Sequence, residues 1–180
     1  MGVIVCRRLA QKRCPGVIVC LLSTIIWSAA GSAWAQTVGD EAELERLRVK
    51  AEEAVASDDP EGAAMAMGRA ALMAKRLSLL NRNDGASARL YQAAESLFRS
   101  QEHGYRAMAL FRRAGGQLPA SSGVCGSLAL AQASVQRALG DLGSHELPPD
   151  ALGERVKRWR ETADDWVTVV AAMITDYQCP

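Results

Sequence analysis

The chain has 180 residues, of which 49% are hydrophobic, with 21 Lys and Arg against 20 Asp and Glu. A formal charge of +1 provides no electrostatic case for nucleic acid as a partner, and the length suits one domain behind a targeting segment.

Residues 1–35 read as an export signal. Arg7, Arg8, Lys12 and Arg13 precede an apolar run from Pro15 to Ala30, and Ala33-Trp34-Ala35 is a small-x-small ending, so cleavage is expected after Ala35. The 16 apolar residues fall short of the roughly 20 that a membrane-spanning helix needs, so no stable anchor is expected after cleavage. Removing 35 residues from 180 leaves a domain at 36–180 of 145 residues, with 17 basic and 20 acidic side chains and a net charge of −3. Cys6, Cys14 and Cys20 leave with the signal.

The remaining chain predicts six helical segments and no strand. The first runs from Asp40, read as an N-cap, to Ser57, with Leu44, Leu47, Ala51, Ala54 and Val55 on one face. Asp58-Asp59-Pro60 ends it and starts a second helix that continues to about Leu80, its buried stripe running through Met67, Ala70, Ala71, Ala74 and Leu77. Met65, Met67 and Met73 read as gap-filling core. A turn at Asn81–Gly85 leads to a third helix over 86–101. A fourth covers 104–114 and stops at Gly115-Gly116. The fifth spans 124–139. After a loop with Pro148-Pro149, Leu152, Val156, Trp159, Ala163, Trp166, Val170, Met173 and Tyr177 mark one long amphipathic helix whose tryptophans read as packing residues.

Between Tyr91 and Pro119 the spacing Tyr91-x-x-Ala94-Glu95-x-x-Phe98, then Ala107-x-x-x-Phe111-x-x-Ala114, then Pro119, resembles a tetratricopeptide repeat at about 88–121; the flanking hairpins follow it in outline. The resemblance implies an all-α fold: a right-handed stack of about three helical hairpins, a solenoid, ending in the long C-terminal helix. An unrelated six-helix bundle is the alternative. Phe111 is then expected to be buried between the third and fourth helices. Arg89, Gln92, Ser96, Arg99 and Ser100 share one face of the third helix by spacing. The resemblance makes that face a groove for a protein or peptide, and its two arginines suit a carboxylate.

No catalytic signature appears. His103 and His145 fall in expected turns outside any metal-ligand spacing, and no nucleophile elbow, phosphate loop or dinucleotide fingerprint is present. The expectation is a non-enzyme without cofactor or metal: an exported, periplasmic scaffold that binds a protein or peptide, in a cell-envelope assembly. A structural subunit or homo-oligomer without a free groove, and a small-ligand binder or divergent enzyme, are the alternatives.

Cys125 and Cys179 are the cysteines left after export, and oxidising conditions favour a bridge between them. Helix length opposes it. The segment 124–139 rises only ~24 Å, so a straight last helix overshoots Cys125. A bridge needs the 140–149 loop to offset the last helix or the 177–180 tail to fold back; free or intermolecular thiols are the alternative.

Overall fold

A computed structural model of the chain describes residues 39–143 and 151–180. The export-signal reading and His145 fall outside these residues. The described chain is all-helical: α1 (39–56), α2 (Pro60–Leu80), α3 (Gly85–Arg113), α4 (Ser122–Leu142) and α5 (Ala151–Asp176). No described helix is long and apolar enough to cross a membrane.

Five helices replace the six expected, because α3 runs unbroken through Gln101–Gly104. The hairpin expected between 86–101 and 104–114, the unit that carried the repeat resemblance, is therefore one continuous helix, and a stack of three hairpins does not fit the described residues. The reason lies in Gly104. It is a packing seat for the Trp166 indole rather than a turn: a Cβ there would come within 2.7 Å of Trp166 Cζ2. A mid-helix glycine costs about 1 kcal/mol against alanine, less than a tryptophan gains from burial.

Local signals set the helix ends. Asp59 caps α2, accepting from Gly62 N at 2.9 Å, with Pro60 in the first turn. Asp84 caps α3, accepting from Ala86 N at 3.1 Å and Ser87 N at 3.3 Å. Gly115 and Gly116, both at positive φ, end it. Asp40 is not the N-cap of α1. Gly39 is already helical, and the Asp40 carboxylate lies 3.4 Å from Arg76 of α2.

Helix α3 is the spine. α2 and α4 pack along opposite flanks of it, and α5 packs on α3 and α4. One buried cluster joins α1 and α2 to α3 through Leu44, Leu47, Met67, Leu77, Tyr91 and Phe98. The other joins α4 and α5 to α3 through Leu90, Leu97, Val124, Leu128, Trp166 and Val170. The helices thus form a layer α2–α3–α4 with α1 and α5 on one face. The opposite face of the layer is open. Val55, expected in the core, is exposed at the end of α1, and Phe111 is half-buried, stacked on Tyr177 with centroids 4.2 Å apart.

Polar ties run through the second cluster. Trp166 Nε1 donates to Ser100 Oγ at 2.8 Å, and Ser100 Oγ donates to Ala131 O at 2.6 Å, linking α5, α3 and α4. Cys125 and Cys179 are bridged, with Cα atoms 5.4 Å apart. The expected overshoot is taken up at the start of α5. Arg160 donates to the Leu142 and Gly143 carbonyls at the end of α4, so α5 begins more than two turns beyond that level. From Arg160 to Asp176 the rise is then ~24 Å, close to the ~26 Å from Leu142 back to Cys125. Gln178, at positive φ, turns Cys179 onto α4.

Candidate functional site

The open face of the layer carries a groove of about 680 Å³ between α2 and α3. Its floor is apolar: Ala64, Met65, Gly68 and Leu72 from α2 meet Ala109 and Leu110 from α3. Met65 is 69% exposed and Leu72 58%, and Leu79, one heptad further along α2, is 63% exposed. Met65, expected in the core, is therefore a surface residue. The two helices run antiparallel, and Arg99, Arg106 and Arg113 of α3, also at heptad spacing, line the other wall with Arg69 of α2 on the near side.

Glu102 organises this wall. Its residue is only 8% exposed, yet each carboxylate oxygen takes one guanidinium: Arg99 Nη1 lies 2.7 Å from Oε2 and Arg106 Nη2 2.5 Å from Oε1. Both pairs lie within one turn on the same helix, the i,i+3 and i,i+4 relation. A buried carboxylate persists because it is doubly paired. Gly68 makes the space for it, since a Cβ at that position would sit 3.2 Å from Glu102 Cδ. Arg113 pairs with Glu61 at 2.5 Å at the end of the groove. Arg69 forms no ion pair among the described residues.

The residues expected to form a groove face divide. Arg89 and Gln92 are exposed and Arg99 is half-exposed, the last within the groove wall. Ser96 and Ser100 are buried, at 8% and 0% exposure, and Ser100 is committed to Ala131 and Trp166. Ser100 lies against α4, and Arg99 faces the groove beside α2. Sequence reading missed Arg69, Arg106, Arg113, Met65 and Leu72. Their heptad spacings, 65–72–79 and 99–106–113, were visible; splitting α3 at 101–104 broke the phase between Arg99 and Arg106.

A second recess, of about 510 Å³, lies between α1 and α5 over the other side of α3, with Phe98, Tyr105 and Trp159 among its lining residues. The phenol of Tyr91 donates to Glu41 of α1 and accepts from Arg155 Nη2 of α5 at 2.8 Å. Burial and then the Glu41 carboxylate raise the Tyr91 pKa. These groups bind one another, so they act as a clasp between helices. His103, expected in a surface turn, sits mid-helix on α3 and half-buried, and burial lowers its pKa. Among the described residues no group of three or more His, Cys, Asp or Glu could hold a metal ion.

No protein-family model, curated protein or solved structure matches the chain.

Proposed function

We propose that the chain is an exported helical scaffold that holds a protein partner, within a cell-envelope assembly, on the open face of the α2–α3–α4 layer. The α2–α3 groove carries this reading: Met65 and Leu72 are large apolar side chains left in solvent beside a wall of arginines, and Leu79 continues their line along α2 beyond the groove. Contiguous exposed apolar surface rimmed by charge is characteristic of interaction sites. Export is supported by the signal grammar of residues 1–35 and by the Cys125–Cys179 bridge, which belongs in an oxidising compartment. The reading needs no tandem repeats; one groove between two antiparallel helices suffices.

The test is capture from a native envelope extract with residues 36–180 as bait. Leu72→Glu is expected to abolish a partner that both the unaltered domain and Val169→Glu, an exposed position on α5, retain. Equal capture by all three baits would remove the groove from the function.

A further inference from the structure

We infer that the occupant of the α2–α3 groove is an acidic amphipathic helix supplied by another protein; this rests on the scaffold reading above and specifies its chemistry. Three observations select a helix with that charge.

The first is the shape of the apolar line. Met65, Leu72 and Leu79 recur every seven residues over ~21 Å of α2, with Gly68 in the interval between the first two. A heptad line of exposed apolar side chains is the seam that a helix docking at a shallow angle fills, placing its own residues between them. An extended strand would need a row of free backbone donors and acceptors, and both walls here are helices whose backbone groups are already paired.

The second is the charge balance. The groove is lined by Arg69, Arg99, Arg106 and Arg113 against Glu61 and Glu102, a surplus of two positive charges. The exported domain as a whole carries −3. The positive strip is thus local, and it favours carboxylates in the partner.

The third is how two of the arginines are held. Glu102, buried against Gly68, grips Arg99 from one oxygen and Arg106 from the other. Each guanidinium has five N–H donors, and the Glu102 contacts occupy only part of each set. The side chains are therefore fixed in place with donors to spare along the groove rim. Two planar donor groups seven residues apart match carboxylates at the same interval on a docked helix. Glu102 acts here as a positioning residue: it does not meet the partner, and it reduces the ordering that the arginines would otherwise undergo on binding.

The experiment places a benzophenone side chain at position 65 of the full chain, within the groove, expressed in the native host and irradiated. The crosslinked segment is then identified by mass spectrometry. The expected product joins position 65 to a different protein, within a segment carrying apolar residues at i, i+3 or i+4 and i+7 and a net negative charge. Arg69→Glu should lower the yield at least about tenfold, the scale of one lost charge-assisted hydrogen bond. So should the triple variant Arg99→Gln, Glu102→Gln, Arg106→Gln, which removes two arginines without stranding the buried carboxylate. Circular dichroism of both variants should show the helicity of the unaltered chain. A crosslink to a neutral or basic segment, or yields unchanged in both variants, overturns the acidic-helix inference and leaves the scaffold reading standing. A crosslink to a second copy of the chain, or a yield no higher than from a probe at position 169, overturns both.

Discussion

Among the described residues, seven of the thirteen buried ones that join α1 and α2 to α3 are alanines, against five of the fourteen that join α4 and α5 to it. The two halves share a helix and are held to it in different ways. In the first half most of the buried side chains are short, with Phe98 and Met67 the largest that are fully buried. In the second, larger side chains are supplemented by the Trp166–Ser100–Ala131 hydrogen bonds and by the Cys125–Cys179 bridge. The difference teaches where surface chemistry is placed. With no Cβ at Gly68, the long Glu102 side chain lies against α2 and holds two arginines at the groove rim, while in the second half Ser100 and Trp166 are committed to internal ties.

The sharpest challenge to this comparison is Phe98→Ala. Phe98 is 1% exposed and meets Trp159 edge-on with centroids 5.2 Å apart, in the recess that the Tyr91–Glu41–Arg155 clasp also lines. The expected loss is about 3–5 kcal/mol in urea unfolding. A loss near 1 kcal/mol would mean that the alanine-rich half closes over the cavity and depends on packing less than stated here. Next in size is the bridge. Thiol titration of the denatured, non-reduced monomer should find no reactive thiol from Cys125 or Cys179, and Cys125→Ser with Cys179→Ser should cost about 2–4 kcal/mol for a sequence separation of 54. Hydrogen exchange should rise in the last turns of α5 and the first of α4; an equal rise in α2 would erase the contrast between the halves. The smallest effect is at Gly104→Ala. Displacing Trp166 costs about 1–3 kcal/mol and the improved helix propensity returns up to about 1, for a net loss of about 1–2 kcal/mol by thermal melting. A stabilised variant would show that Gly104 is not the seat of the indole.

The all-helical class, the course of α1, α2, α4 and α5, and the packing role of Trp166 were legible, because apolar residues recur at three and four along each segment and Asp59-Pro60 and Gly115-Gly116 punctuate them. The continuity of α3 was not. Glu102-His103-Gly104 has the composition of a turn, and only the position of a side chain 62 residues away explains a glycine inside a helix. The groove was half legible for the same reason. Of the groove's lining residues only Arg99 lay on the face read from one-turn spacing, whereas Arg106 and Arg113 needed an unbroken helix, and burial of Ser100 depended on where α4 lies. Exposure of Met65 is likewise a tertiary fact: an apolar residue beside a buried stripe reads as core until the neighbouring helix is shown to leave it uncovered.

One consequence of the shared spine concerns cooperativity. Because α3 lends its two faces to two clusters, melting either half would leave one wall of the other in water. Neither half is then an independent foldon; local opening is confined to what lies off the spine, such as the ends of α1, α4 and α5, while the loss of α3 is the loss of everything.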